Sequence, residues 1–355
     1  MSNLRTRRSL LRALSASAAG VPFAASLFAQ GRCKNGYNTP ACPMSKEVAT
    51  APIKPLFEPT GWKTVALEHI SFQVPDYRKE AAFYIALMGW KLRSDDGNQA
   101  VLDIGNWGSA IFKAAPPEQK RVVVDGIAFA IEPWKAKTVE AELRKRDLNP
   151  VADDDGHGFE SFHVKDPDGM DLQIGNSKGL VKARKTPPTA RLEAELPFAA
   201  TGWQTVWLDH FSFGAANYKA KVSFYTNLLG WKGTYDEGSQ EEVLMGDVGD
   251  ALLRGGNPND PNFGKPPANG RGRGPRTPGI DHISFGIQPF DPDAVKDFLE
   301  KHGLRAQIDT GNTGDIHETA YKSFHTQTPN GYNLQMSCIT KDTRLVGMNS
   351  MKPAQ

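Results

Sequence analysis

The chain has 355 residues, is 39% hydrophobic and 23% charged, and carries a formal net charge of +2. This length holds two ordinary domains plus a tail, and the composition is globular, not disordered or collagen-like. The near-neutral charge gives no reason to expect a nucleic-acid or acidic-membrane partner, and the basic clusters at 182–185 and 271–276 sit among Pro and Gly as solvated loops.

From the N-terminus, Arg7-Arg8-Ser9-Leu10-Leu11-Arg12 precedes a weakly apolar Ala/Ser/Leu stretch that runs to Ala29. A basic start, a short apolar region and small residues before a cut site make a secretory signal over 1–29. The arginine pair resembles a twin-arginine signal, which a receptor reads as an address. Ala24-Ala25-Ser26 and Leu27-Phe28-Ala29 each offer a small final residue for cleavage. The stretch is too short and polar for a membrane span. The expected mature protein is therefore soluble, off the membrane, and periplasmic or secreted. Residues 30–59 read as irregular. Within them Cys33 and Cys42 stand close enough to close a small disulfide loop in an oxidising compartment. Cys338, beside strand residues Leu334 and Met336, reads as a buried thiol.

Beyond residue 60 the chain repeats itself. Thr60-Gly61-Trp62-Lys63-Thr64 through His69-Ile70-Ser71-Phe72 returns as Thr201-Gly202-Trp203-Gln204-Thr205 through His210-Phe211-Ser212-Phe213. The match continues through Leu87-Met88-Gly89-Trp90 and Leu228-Leu229-Gly230-Trp231, and again through Ser161-Phe162-His163 and Ser323-Phe324-His325. A shorter repeat lies inside each half. Ile280-Asp281-His282-Ile283-Ser284-Phe285 copies Leu208-Asp209-His210-Phe211-Ser212-Phe213, whereas the first half has Asp125-Gly126-Ile127-Ala128-Phe129. Each unit opens with an alternating strand, His and Ser on one face and bulky apolar residues on the other. An amphipathic helix follows, as at 77–88 and 293–302, ending at Gly89, Gly230 or Gly303 in a left-handed cap. Short strands such as 99–104 and 109–113 complete it. The fold class is therefore α+β: βαβββ modules pair into domains at 60–176 and 200–340, joined by a linker at 177–199 and followed by a tail at 341–355. Residues 255–279 are too long and polar for an ordinary connection and form a loop or arm. The matching positions of Trp62/Trp203 and Trp90/Trp231 point to core packing.

Paired modules with such His strands, and an Asp166-Pro167-Asp168-Gly169 turn before the last strand, resemble the vicinal oxygen chelate superfamily. That superfamily contains glyoxalase I, methylmalonyl-CoA epimerase, type I extradiol dioxygenases and metal-free bleomycin-resistance proteins. The resemblance runs from about Thr60 to Cys338. It implies two tandem cups, each built from facing first-strand residues, and the two-domain layout most resembles the extradiol enzymes. Carried over position by position, it implies metal ligands at His210, His282 and Gln335 and a divalent cofactor of the Fe, Mn or Zn class.

The chain departs from the extradiol pattern at two places. Gln335 stands where the ligand carboxylate belongs, and His325 where a Tyr belongs; no histidine lies between His210 and His282. Those changes speak against catechol ring cleavage. A neutral amide oxygen still coordinates, but it compensates less charge. His317 and His325 are the candidate acid–base residues, with surface or structural roles as the alternative. Ser212 and Ser284 are the candidate substrate contacts. In the first domain Gly126 removes the ligand opposite His69, so no metal is expected there. Two readings follow. One is a metal-dependent dioxygenase, lyase or isomerase acting on a small oxygen-rich substrate. The other is a metal-free periplasmic protein that binds or sequesters a small molecule. Either is compatible with a homo-oligomer.

Overall fold

The structure, a computed structural model, describes residues 53–154, 159–178, 192–236, 240–259, 263, 276–311 and 314–344. The expected signal at 1–29, the Cys33–Cys42 pairing, most of the linker and most of the loop between 255 and 279 lie outside the described residues.

The first half contains β1 (Lys63–Val74), α1 (Tyr77–Met88), β2 (Lys91–Asp95), β3 (Gln99–Ile104), β4 (Gly108–Ala114), β5 (Val123–Glu132), α2 (Ala136–Arg144), β6 (Val151–Asp154), β7 (Glu160–Lys165) and β8 (Asp171–Asn176). The second half repeats them as β9 (Gln204–Gly214), α3 (Tyr218–Leu229), β10 (Lys232–Asp236), β11 (Gln240–Leu244), β12 (Gly249–Arg254), β13 (Gly279–Gln288), α4 (Pro292–Lys301), β14 (Gln307–Asp309), β15 (Ser323–Gln327) and β16 (Asn333–Ser337). The two eight-stranded sheets run β2-β3-β4-β1-β5-β8-β7-β6 and β10-β11-β12-β9-β13-β16-β15-β14. The first strands of paired modules, β1 with β5 and β9 with β13, are antiparallel, and each last strand returns parallel to its own first strand. Among the described residues no helix is long and apolar enough to cross a membrane.

Local chemistry sets the helix ends. Asp76 and Asn217 accept hydrogen bonds from the backbone N–H groups of Lys79 and Ala220, and Asp291 does so from Ala294 with Pro292 in the first turn. Gly89 and Gly230 close α1 and α3 with φ of 69° and 68°. The fourth helix ends one residue earlier than the sequence suggests: His302 is its C-cap, and the left-handed residue, Gly303, follows it.

The recurring Thr-Gly-Trp-x-Thr segment joins the domains reciprocally. Thr60 and Thr64 donate their hydroxyls to the free carbonyls of Leu228 and Leu229 at the end of α3, while Thr201 and Thr205 serve Leu87 and Met88 of α1. Trp90 Nε1 donates to Thr205 Oγ1 at 2.8 Å and Trp231 Nε1 to Thr64 Oγ1 at 2.9 Å. Trp90 stacks on Tyr84 and meets Phe285 of the other domain edge-on; Trp231 does the same with Tyr225 and Phe129. One large apolar core consequently runs through both halves, with two small clusters beside it around Phe159 and around Trp207. Cys338 differs from its expected burial. It is only partly buried, and its thiol donates to the Ala320 carbonyl at 3.4 Å.

Candidate metal centre

The second sheet is apolar on its helix side, where Phe211, Phe213, Ile283 and Phe285 join the core. Its other face is polar. Register puts Ser212 opposite His282 and His210 opposite Ser284, with Gln335 beside Ser284 and His325 beside Gln335. Cross-strand partners share a face. The same surface therefore carries His210, Ser212, His282, Ser284, His325 and Gln335.

The two imidazoles meet. Nε2 of His210 lies 3.2 Å from Nε2 of His282, with the rings edge to face. Each outer ring nitrogen faces an acid: His210 Nδ1 is 3.5 Å from Asp209 Oδ2, and His282 Nδ1 is 3.0 Å from Asp281 Oδ1. Adjacent strand residues normally point to opposite faces, so a neighbouring carboxylate should not reach its histidine. The register explains it. On the descent from Ser284↔His210 to Phe285↔Leu208, Asp209 is an extra residue of β9; between Ile280↔Phe213 and His282↔Ser212, Asp281 is an extra residue of β13. These two bulges turn consecutive side chains to one side. Both carboxylates are in the site, and alternation alone hides them.

Burial drives the electrostatics. His282 is pushed down to about 3, chiefly by desolvation, with His210 and Arg254 adding to the effect against the pull of Asp281. Its imidazole is neutral at neutral pH, the form that ligates a metal. Desolvation works against ionisation of Asp209, yet His210, Ser284 and Ser337 hold it below the usual carboxylate value. Ser284 Oγ and the Tyr321 hydroxyl donate to Asp209 Oδ2 at 2.8 and 3.0 Å. Ser284 therefore contacts Asp209 within the protein.

Gln335 is buried. Its Nε2 reaches Ser323 Oγ at 2.7 Å and the Tyr321 hydroxyl at 3.1 Å, which leaves Oε1 buried without a hydrogen-bond partner among the described residues. An orphaned buried acceptor calls for an unseen donor or cation. His325 packs edge-on against His282, ring centres 5.0 Å apart. Its nitrogens face Asn333 Oδ1 at 3.1 Å and Asp309 Oδ2 at 3.3 Å. Burial opposes ionisation of Asp309, but His325 and the Gly311 N–H hold it down to about 2. His317 is not brought into this group. It lies between β14 and β15 with 53% of its side chain exposed, and Nε2 faces Asp293 of α4 at 3.6 Å. That helix packs against β15.

The fit of a metal can be judged on these atoms. Two nitrogens each 2.0–2.1 Å from one ion sit roughly 3–3.5 Å apart, so the 3.2 Å pair matches a shared ion. Carboxylates on the outer nitrogens are the usual support for ligating imidazoles. Among the described residues no three His, Cys, Asp or Glu side chains form a metal-holding group; Gln335, on the same sheet face, is the candidate for a third protein donor through its amide oxygen. The residues present fit a divalent ion with a weakly compensating third ligand.

The first cup keeps most of this framework. Glu68 and Asp125 are extra residues at bulges of β1 and β5, Glu68 bonds His69, and Gln173 Nε2 bonds Ser161 Oγ at 2.8 Å. Gly126 stands where the second cup has His282, so the facing imidazole pair is absent.

No family model and no curated protein matches the chain by sequence. Solved structures do match in shape. An Mn(II)-bound glyoxalase from Novosphingobium aromaticivorans superposes with a TM-score of 0.56 at 16% identity over 80% of this chain and 86% of that one. A variant of homoprotocatechuate 2,3-dioxygenase from Brevibacterium fuscum gives 0.54 at 17% over 88% and 77%. A Pseudomonas 2,3-dioxygenase, LapB, gives 0.54 at 15% over 78% and 92%. The chain has the vicinal oxygen chelate fold in its tandem, two-domain form. Identities this low establish the fold and leave the chemistry to the site.

Proposed function

We propose that the second cup is a divalent-metal centre of an exported enzyme of dioxygenase, lyase or isomerase type. The observation that carries this reading is the pair of facing Nε2 atoms, each backed by a carboxylate on Nδ1, on a sheet face that also carries Gln335, whose Oε1 has no hydrogen-bond partner among the described residues. The similar structures, an Mn(II)-bound glyoxalase and two 2,3-dioxygenases, support a metal of the Fe, Mn or Zn class. The export component rests on the Arg7-Arg8 start and the small-residue stretch after it.

His210, His282 and Gln335 would hold the ion. When bound, it supplies Lewis acidity to a small substrate with adjacent oxygens. The rest of the work falls to the chain itself. Asp209 and Asp281 fix the ring orientations of the two histidines. Tyr321 ties Asp209, the support of His210, to Gln335, so the two sides of the centre are linked through one hydroxyl. His325 is the acid–base candidate inside the cup, with Nε2 oriented by Asp309, and Ser212 is the remaining hydroxyl on the face.

The test is metal content of the purified full chain after exposure to Fe(II), Mn(II) or Zn(II). About one ion per chain is expected, lost in His282→Ala and retained in His69→Ala. Wild-type protein with no stoichiometric ion would sink the metal reading. One observation favours the alternative of a metal-free binding protein: 3.2 Å is also a hydrogen-bond distance between a protonated and an unprotonated imidazole nitrogen.

A further inference from the structure

A cation on the face of the second cup has lost the partner that its counterpart keeps in the first. On β12, Ala251 and Leu253 join the core, so Leu252 and Arg254 turn to the cup face. Leu252 is opposite Ser212, which is opposite His282, and Arg254 is opposite Gly214. The Arg254 backbone therefore lies two residues, roughly 6–7 Å, along the strand from the row that carries His282, a gap that an arginine side chain can span. Its charge does reach the site. Besides burial, the main influence on both, Arg254 pushes His282 and Asp281 down.

The first cup shows how such a cation is satisfied when nothing else claims its aspartate. Lys113 holds the equivalent place on β4, opposite Gln73, and its Nζ pairs with Asp125 Oδ2 at 3.3 Å. Asp125 is the counterpart of Asp281, the extra residue at the same bulge. In the second cup that carboxylate is committed elsewhere. Asp281 Oδ1 meets His282 Nδ1 at 3.0 Å, and Oδ2 faces Arg276 Nη1 at 3.7 Å. Gly126 stands in place of His282 in the first cup, so no imidazole competes there. Arg254 is left partly exposed, with its Nε unpartnered. Among the described residues it makes no ion pair, although Glu242, opposite Leu252 on β11, shares the face. A guanidinium keeps its charge at any working pH and meets a carboxylate through two parallel N–H donors.

We propose that Arg254 is the specificity-determining residue of the second cup and that the substrate is a small carboxylic acid, whose adjacent oxygens face the ion at His210 and His282 and whose carboxylate meets the Arg254 guanidinium. This rests on the metal reading above and names the class of substrate that the centre takes. Recruiting Asp281 to His282 builds the ligand pair and, by the same move, frees a positive charge beside it.

Calorimetric titration of the full chain, loaded with Zn(II) or Mn(II), with two hydroxamates tests this. Both present two adjacent oxygens to a metal; succinic monohydroxamate ends in a carboxylate and butanohydroxamate in a methyl group. The acid should bind about tenfold or more tighter, the usual effect of one charge-assisted contact. In Arg254→Met that preference should vanish, while metal content is kept and the affinity for butanohydroxamate changes by less than about threefold. Arg276→Met, which removes the half-exposed cation beside Asp281, should keep the preference. A metal-loaded chain that binds neither probe, or both equally, overturns the inference and leaves the metal centre standing. So does a preference that survives Arg254→Met or disappears in Arg276→Met. A chain that retains no ion sinks the metal reading itself, and this inference with it.

Discussion

At the scale of single residues, the candidate centre depends on groups that never touch a ligand. Asp209 and Asp281 hold the outer nitrogens of the two histidines. Loss of such a partner typically reduces metal affinity by about 10–100-fold. Asp281→Asn should therefore weaken binding by that order without removing it, read by competition with a chromogenic chelator. Gln335→Glu should tighten it, because a charged oxygen replaces a neutral one at a position already supported by Ser323 and Tyr321. His210, His282, Gln335 and His325 were legible as a group because the repeat aligns them with a known ligand pattern. Asp209 and Asp281 lie in the same motifs, but strand alternation puts each on the face opposite its histidine. Only the bulges reveal them. Tyr321 sits in an irregular stretch with no periodicity to mark it, and His317, a candidate acid–base residue by sequence, faces Asp293 of α4 instead of the cup.

The first cup offers a residue-level pH test outside the proposed centre. The hydrogen bond to Asp171 raises His163 above its ordinary value, against the effect of burial, with Asp153 adding to the rise. Burial is the largest influence on Asp171 and opposes ionisation, but His163 and Lys165 bring it below its ordinary value. A raised histidine stabilises the fold fully below its unfolded value near 6.5, and that contribution is lost as pH climbs through the folded value. A lowered aspartate contributes above about 3.8, and that contribution is lost as pH falls through its folded value. The pair should thus stabilise most between roughly pH 4 and 6.5. In an NMR titration the His163 resonances should move with a midpoint above 6.5, and Asp171→Asn should lower that midpoint. An unchanged midpoint in the variant would show that the ion pair does not form in solution.

At the scale of elements, the Thr-Gly-Trp-x-Thr segment was legible as a repeat and illegible as a joint. Pattern alone assigned its tryptophans to the core, which they occupy. It said nothing of Trp90 bonding Thr205, or of Thr205 capping α1 from the other domain, because both contacts span more than a hundred residues. Thr205→Val keeps the shape while removing both contacts. It strands a buried indole N–H and a helix-end carbonyl, at a cost of about 1–3 kcal/mol. Thermal denaturation should show a clear fall in Tm for Thr205→Val. Thr64→Val should fall comparably, since Thr64 plays the same part for Trp231 and Leu229. If one variant were silent, the reciprocal joint would be carrying load on one side only.

At the scale of the molecule, the pairing of unlike domains is written in charge. The turn Asp166-Pro167-Asp168-Gly169 precedes the last strand of the first domain and is read by Lys221 on α3. That lysine is fully buried, 2.9 Å from Asp166 and 2.8 Å from Asp168, and lies over the Phe213 ring. The corresponding turn of the second domain, Thr328-Pro329-Asn330-Gly331, is read by Glu80 on α1, which accepts from the Asn330 backbone N–H at 3.2 Å and from its Nδ2 at 2.8 Å. Pairing two copies of the first domain in this way would set Glu80 against two aspartates. Pairing two copies of the second would bury Lys221 with no carboxylate. Each wrong pairing strands charge, so the contacts favour the tandem arrangement over swapped assemblies.

The two halves of this device should respond differently. Lys221→Met leaves a buried pair of carboxylates without their cation and should cost about 3–5 kcal/mol. Glu80 is raised above its ordinary value, mainly by burial and despite the Thr328 and Asn330 contacts, so its ionised form is a liability in the folded state. A raised acid favours the fold at low pH and loses that advantage as pH rises through the folded value. Glu80→Gln should therefore gain stability relative to the natural chain as pH goes from 4 to 8, and differ from it by about 1 kcal/mol or less at neutral pH. Denaturant melts of both variants across that pH range check the contrast. Equal losses at pH 7 would mean that the two turns are held by packing and that charge does not select the pairing.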